Sequence, residues 1–252
     1  MSMKANRLDL IEEYILEHGN VSLPELSAVF QVSINTIRRD IAELVQRGKI
    51  RKVYGGVTAN DVSVTPISVR ETTNSLEKQR IGELAAQLVN DGDTIFLDSG
   101  STTPYLLACL EGKQELTVIS HNLKVIELAA RCENLHLIAI GGEYNYRTND
   151  FSGIASSSET LSRYHISKAF LAATSVSLRF GLANTSFLQA EMKRRIAAAS
   201  DSVILTADHS KFTRSAAITF CPFETLSAVV TDRRPDEAFV AACAQQNIRL
   251  LY

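Results

Sequence analysis

The chain has 252 residues, 45% of them hydrophobic, with a formal net charge of −2. That length and apolar content suffice for one small and one medium domain, each with its own core, and give no reason to expect disorder. A near-neutral, slightly acidic chain excludes indiscriminate coating of nucleic acid, which needs many cations over a broad surface.

Taken in chain order, Leu8, Ile11 and Ile15 recur at helical spacing and mark a first helix. Ser22-Leu23-Pro24-Glu25 is a capping box, opening a short second helix through Leu26, Val29 and Phe30, and Gln31-Val32 makes a tight turn. In the third helix Ser33 is placed to cap, and the stripe Ile34, Ile37, Ile41 and Leu44 is expected to face inward. Asn35, Thr36, Arg38 and Arg39 are left on the outer face near the N-terminal end, the part of a helix-turn-helix that enters the major groove. Arg can bond guanine with both arms, Asn can do the same for adenine, and Thr serves a base edge or a phosphate. On charge alone, an amphipathic helix with a solvated basic face fits the same pattern. Past Gly48, the stretch from Lys49 to Val57 alternates as a short hairpin would, with glycines at the bend. From Arg38 to Lys52 the cations Arg38, Arg39, Arg47, Lys49, Arg51 and Lys52 face only Asp40 and Glu43, so the basicity is local.

Three helices and a basic hairpin predict a winged helix-turn-helix domain over residues 1–58. Ser33, Asn35, Thr36, Arg38 and Arg39 would contact DNA from the third helix, and Lys49, Arg51 and Lys52 from the wing. The segment resembles the DNA-binding domain of the DeoR family of bacterial transcriptional regulators, whose Thr-Ile-Arg-Arg-Asp hallmark stands here as Thr36 to Asp40.

Residues 59–74 lack helical periodicity, carry Pro66 and small polar residues, and are expected to be a linker. Ser75 opens a helix with Ile81, Leu84, Ala85 and Leu88 on one face. Short apolar runs then alternate with helical stretches, at 94–97, 116–119, 135–140, 169–171, 202–205, 228–230 and 248–251. This rhythm predicts an α/β domain over residues 75–252, with a doubly wound, largely parallel sheet covered on both faces. Cys109, Cys132, Cys221 and Cys243 show no Cys-x-x-Cys pair and no histidine at ligand spacing, so reduced core residues are expected, with no metal and no cofactor. Without a long apolar run or a signal-peptide start, a cytoplasmic protein with no membrane association is expected.

In open α/β sheets ligands bind at the carboxyl ends of the strands. The first strand runs into Asp98-Ser99-Gly100-Ser101-Thr102-Thr103-Pro104, where hydroxyls, a glycine and helix N–H groups converge. Such a turn reads either as an anion cradle or as simple capping. No Gly-Lys-Ser/Thr follows, so it is not a triphosphate loop. Later strand ends carry Ser120-His121-Asn122, Gly141-Gly142-Glu143 and Asp208-His209-Ser210-Lys211-Phe212. His121 reads as a loop hydrogen-bonder rather than a base. Glu191 and Lys193, beside Arg194 and Arg195, read by residue type as a solvated charged face.

This half is similar to the sugar-phosphate-sensing domain of the same family, itself similar in fold to ribose-5-phosphate isomerase. The family's Asp-x-Gly-Thr-Thr element is matched by Asp98, Gly100, Thr102 and Thr103, its Gly-Gly-Glu by Gly141, Gly142 and Glu143, its Glu-x-Lys by Glu191 and Lys193, and its Asp-x-Ser-Lys-Phe by Asp208, Ser210, Lys211 and Phe212. The resemblance, which covers nearly the whole chain, implies an effector site that also takes in Ser99, Ser101, Ser120 and Asn122. It implies a repressor of a sugar or nucleoside catabolic operon, gated by a phosphorylated sugar. The partners expected are operator DNA, that effector, and further copies of the chain in a dimer or tetramer, because one winged helix contacts too few base pairs for a genomic address. The competing reading is an aldose-ketose isomerase carrying a DNA-binding appendage. The isomerases have an acid-rich turn after the strand equivalent to 169–171, supplying the base that isomerisation needs. Here that turn reads Ala172-Ala173-Thr174-Ser175-Val176, without a carboxylate, so no catalytic residue is expected.

Arg38→Ala is expected to weaken specific DNA binding by about 1 to 3 kcal/mol and to relax preference at one operator position. Lys52→Ala should weaken binding to all sequences alike and flatten the salt dependence. Competition binding against single-base operator variants, repeated across a salt series, separates the two. Unchanged sequence preference in Arg38→Ala would refute the assignment of the reading helix.

Overall fold

The computed structural model describes residues 3–18, 21–47, 50–53, 56–59, 67–152, 161, 163–212, 216 and 218–252. It divides into two compact units, Met1–Val64 and Thr65–Tyr252. Gly48, Lys49, Gly55 and residues 60–66 of the expected linker lie outside the described residues.

The first unit comprises α1 (Met3–His18), α2 (Leu23–Val29), α3 (Ile34–Gln46), β1 (Ile50–Val53) and β2 (Gly56–Ala59). The capping box forms, with the Ser22 hydroxyl accepting the Glu25 N–H and the Glu25 carboxylate accepting the Ser22 N–H. Gln31, at φ 51°, makes the left-handed turn into α3. Leu8, Ile11, Ile15, Leu26, Ile37, Ile41 and Leu44 close one core with Val21, Ile50 and Val57. Ile34 departs from the expected inward stripe and is 41% exposed. It is the first residue of α3, and the helix enters the core only from its next turn. The antiparallel β1–β2 wing is anchored by Val21, whose backbone exchanges two hydrogen bonds of 2.8 Å with Val57. A side chain at position 56 would put Cβ 2.3 Å from the Val21 carbonyl oxygen, so the anchor requires Gly56.

Asp40 is 1% exposed and accepts two hydrogen bonds from the Arg7 guanidinium, Nε at 2.8 Å and Nη2 at 3.2 Å. It therefore points into the unit and ties α1 to α3. It does not face the basic surface.

The second unit opens with α4 (Ile67–Thr72), inside the stretch expected to be an unstructured linker. Six residues without apolar periodicity would not hold a helix alone. Tertiary bonds supply the difference: the Ile67 N–H donates to the Arg147 carbonyl at 2.9 Å, and the buried Lys78 ammonium donates to the carbonyls of Arg70 and Thr73. Next come α5 (Ser75–Ala86), β3 (Thr94–Leu97), α6 (Thr103–Ala108), β4 (Leu116–Ser120), α7 (Leu123–Ala129), β5 (Leu135–Ala139), β6 (Glu143–Asn145) and β7 (Asp150–Ser152). The chain continues through β8 (Ile166–Leu171), β9 (Ser175–Ser177), β10 (Gly181–Asn184), α8 (Phe187–Ala198), β11 (Ser200–Thr206), β12 (Ile218–Cys221), β13 (Ala228–Val230), α9 (Glu237–Gln245) and β14 (Arg249–Leu251).

Seven of these strands form one parallel sheet in the order β14-β13-β11-β8-β3-β4-β5. Successive residues alternate between two cores. Ile95, Leu97, Val118, Phe170 and Ile204 pack with α5, α6 and α7. Phe96, Ile119, Ala169, Leu171, Val203 and Leu205 pack with α8, α9 and the small antiparallel sheet β9-β10-β12. From β3 the chain runs outward to β4 and β5, then returns to β8 on the other side of β3. The order reverses between β3 and β8, and that is where a doubly wound sheet opens its ligand crevice. Of the four cysteines, all free, Cys221 and Cys243 are buried as expected, but Cys109 at the end of α6 is exposed and Cys132 is intermediate. Among the described residues no helix is long and apolar enough to cross a membrane.

The Arg7–Asp40 pair makes its two halves unequal. Arg7, at 28% side-chain exposure, can turn to water if its partner is lost, whereas Asp40 cannot. Arg7→Ala is therefore expected to destabilise the first unit by about 3 kcal/mol, the cost of an uncompensated buried charge. Asp40→Asn should cost less. Chemical denaturation of both variants checks the order, and equal losses would show that Asp40 reaches solvent.

Candidate nucleic-acid interface and effector site

On α3, Ser33 and Thr36 are committed to the cap: the Ser33 hydroxyl accepts the Thr36 N–H at 3.2 Å and lies 2.9 Å from the Thr36 hydroxyl. Asn35, Arg38 and Arg39 are exposed on the outer face, and Lys52 is exposed on β1. Arg51 belongs to the same strand, and Lys49 falls outside the described residues. Of the acidic residues that seemed to face the cations, Asp40 is turned inward and Glu43 is held by Arg47 at 2.7 Å. Arg7 carried no sign of its role, because a lone arginine in an early helix reads as surface.

In the second unit the centre is Asp98, fully buried at the end of β3. Its Oδ2 accepts the Ala172 N–H at 2.8 Å and a bond from the Lys193 ammonium, and Lys193 also donates to the Ala172 carbonyl at 2.7 Å. Asp98 donates its own N–H to the Phe170 carbonyl at 3.2 Å. These bonds stitch β3, β8 and α8 together at the reversal of strand order. Lys193 is 3% exposed and lies over the Phe220 ring, which overturns its reading as part of a solvated face. Its helix neighbours do form one: Glu191 is held by Arg194 and Arg195, away from Asp98.

The turn after Asp98 passes through Gly100 at φ +133°, a conformation that favours glycine. Ser99, Ser101 and Thr102 are nearly buried, yet their hydroxyls make no hydrogen bond among the described residues. Thr103, Ser120 and Asn122 behave differently. The Thr103 hydroxyl donates to the Asp98 carbonyl and the Ser120 hydroxyl to the Leu97 carbonyl, each at 2.7 Å. The Asn122 amide donates to the Gly100 carbonyl at 3.0 Å, while its oxygen caps α7 through the Lys124 N–H. These three side chains shape the turn.

Gly141, Gly142 and Glu143 are exposed beyond the edge strand β5, with β4 between them and β3. Asp208, after β11, accepts from the Ser210 N–H at 2.9 Å, from the Ser210 hydroxyl, and from the Asn74 amide at 3.2 Å. Burial pushes its pKa up, but the Ser210 bonds and the Lys211 charge, 3.9 Å away, outweigh that and leave it below the usual carboxylate value.

Several groups at this end of the sheet gave no sequence signal. Burial lowers the Lys78 pKa to about 8, partly offset by Asp208. Burial also lowers that of Arg70, opposed chiefly by the Asp150 carboxylate and in smaller part by Asp98. Arg70 sits in the stretch expected to be a linker, and Lys78 is not among the residues expected on the apolar face of the helix that Ser75 opens. Asp150, fully buried, accepts from Thr148 at 2.8 Å and Gln189 at 2.7 Å. His121, 2% exposed, has its pKa pushed down by burial, opposed by Asp98 and Asp150.

Comparison with known proteins bears on both regions. A family model described as the DeoR-like helix-turn-helix domain matches residues 7–63, and one described as the DeoR C terminal sensor domain matches residues 73–233. The chain is 40% identical over 98% of its length to the HTH-type transcriptional regulator IolR of Bacillus subtilis (strain 168), covering 98% of that protein. It is 30% identical to the glycerol-3-phosphate regulon repressor of Escherichia coli (strain K12), over 95% of each chain. Among solved structures, ribose 5 phosphate isomerase A from Neisseria gonorrhoeae aligns over 56% of this chain and 55% of its own, at a TM-score of 0.42 and 20% identity. With both regions matched and relatives aligned end to end, the chain belongs to the DeoR family and is a DNA-binding regulator of transcription, not an enzyme.

Proposed function

We propose that this regulator is a repressor of a sugar or nucleoside catabolic operon and that a phosphorylated sugar gates it. In this reading residues 1–58 bind operator DNA, 59–74 connect, and 75–252 sense the effector. Asn35, Arg38 and Arg39 read bases, while Arg51, Lys52 and Lys49 hold backbone phosphates. The chain acts as a dimer or tetramer on repeated half-sites.

The observation that carries the effector assignment is the Gly100 turn. It offers the hydroxyls of three largely buried residues, Ser99, Ser101 and Thr102, that make no bond among the described residues, directly after the Asp98–Lys193 pair and at the reversal of strand order. A phosphorylated sugar satisfies such a place with its phosphate on the turn and its hydroxyls against Asp98 and Lys193. Lys211, after β11, adds a second cation at the same edge of the sheet. Thr103, Ser120 and Asn122 then support the turn from behind. Ala172, where the isomerases carry carboxylates, offers only its backbone to Asp98 and Lys193, so the bound sugar phosphate is expected to leave chemically unchanged.

A ligand changes DNA affinity only by binding the DNA-competent and DNA-incompetent states differently, and the reverse effect is equal in size. Thr102→Ala and Lys211→Ala are therefore expected to retain operator binding and lose the response to sugar phosphate, giving a regulator locked in one state. Operator titrations with and without a panel of pentose, hexose and triose phosphates provide the check. A full response in both variants would remove the effector from this turn, and conversion of any panel member by the purified protein would restore the isomerase reading.

A further inference from the structure

Two buried groups at the ends of adjacent strands face each other with atoms left over. Asp98 follows β3 and His121 follows β4, at 0% and 2% exposure. Their neighbours Thr103, Ser120, Asn122 and Asp150 all have hydrogen-bond partners. So does Asp98 Oδ2. Asp98 Oδ1 and His121 Nδ1, in contrast, are buried with no partner among the described residues. Buried side-chain polar atoms in folded proteins are overwhelmingly paired, so the orphaned Asp98 Oδ1, faced by the other ring nitrogen of His121, Nε2, points to a missing third party.

The distance says how large that party is. His121 Nε2 lies 3.9 Å from Asp98 Oδ1, too far for a direct hydrogen bond, but an oxygen set between them can sit about 2.8 Å from each. The chemistry says what it is. Asp98, paired with the Lys193 ammonium, is a carboxylate and only accepts, so the bridging atom must bring a proton. Burial of the ring favours neutral imidazole, which donates from one nitrogen and accepts at the other. A phosphate oxygen would meet the carboxylate with like charge, and an ammonium could not accept from an N–H. A hydroxyl does both tasks, donating to Asp98 and accepting from Nε2–H. The ring stacks on Phe96 at 5.6 Å, and the main-chain carbonyl of His121 accepts the Phe151 N–H at 2.9 Å, which fixes the backbone that carries it.

Resting on the effector reading above, we propose that Asp98 and His121 together read one hydroxyl group of the bound sugar, and that the phosphate is held apart from them on the Gly100 turn. His121 is then a specificity-determining residue: it distinguishes sugars by the presence and orientation of that hydroxyl.

The test uses thermal unfolding of the full chain with pentose and hexose phosphates, their deoxy analogues each lacking one hydroxyl, and inorganic phosphate. For the sugar that raises the melting temperature, one deoxy analogue should need roughly 10- to 100-fold more for the same shift. In His121→Phe, which keeps the ring stack and removes both nitrogens, that ratio should fall to about one while the concentration dependence on inorganic phosphate stays the same. His121→Gln, which keeps a donor, should recover part of it. Comparing parent with analogue inside each variant removes any change in intrinsic stability. Imidazole nitrogen resonances of the wild type give a measurement that needs no variant: the His121 signal should move with the sugar phosphate and not with inorganic phosphate. Discrimination retained in His121→Phe, or an unmoved His121 signal, would mean that the pair holds a structural water only, and the inference falls. If wild-type melting responds to neither the sugars nor inorganic phosphate, the effector reading itself fails and takes this one with it.

Discussion

A carboxylate and an ammonium buried together at the reversal of strand order hold the sensor unit in shape. Asp98 has no exposure and Lys193 only 3%, so each gave up its hydration, and their mutual attraction roughly repays that cost only when further hydrogen bonds complete the geometry. The Ala172 backbone completes it, giving its N–H to Asp98 and its carbonyl to Lys193. Three elements distant in sequence, β3, β8 and α8, are thereby locked at one point. The Gly100 turn hangs from that point, with Thr103, Ser120 and Asn122 bracing it. Neither charge can be removed alone without stranding the other.

The smaller unit solves its problem in the same way. A core of this size is marginal in apolar area, and the Arg7–Asp40 pair adds a directional tie between α1 and α3. The tie also keeps a negative charge off the surface that Arg38 and Arg39 share. In the sensor unit, Lys78 ties α5 to the end of α4, Ile67 ties the start of α4 to Arg147 after β6, and Asn74 between the two helices donates to Asp208 in the loop after β11. The first described elements after residues 60–66 are thus bonded, through Asn74, to the loop after β11.

Most of the architecture could be read from the residues because it follows from periodicity. Alternating apolar runs marked all seven strands of the parallel sheet, and the Ser22–Glu25 and Ser33 caps fixed two helix starts. What escaped was held by tertiary bonds. Helix α4 has no pattern of its own and exists because Lys78 and Arg147 satisfy its ends. The short strands β6, β7, β9, β10 and β12 are too brief for alternation to declare them. In the candidate site, residues inside motifs were visible, but a motif does not say which side chains are spent on structure. Asn122 and Thr103 look like ligand groups in sequence and are braces in space, whereas Lys193, surface by residue type and marked only by the Glu-x-Lys motif, is at the centre. Arg70, Lys78 and Asp150 could not be found from residue type, since nothing local distinguishes a buried charge from a solvated one. Ile34 and Cys109 erred the other way, apolar by type and exposed by position.

The 95-residue separation between Asp98 and Lys193 has a consequence for the lifetime of the protein. A site built on elements that far apart in sequence forms only when β3, β8 and α8 have docked, so the effector proposed above would find nothing to bind in a partly folded chain. On that reading, an occupant would be linked by mass action to the folded form alone and would withdraw molecules from the open forms that proteases cut. Under the effector reading proposed above, the number of regulator molecules in a cell would therefore be tied to the abundance of their ligand, before any change in DNA affinity is considered.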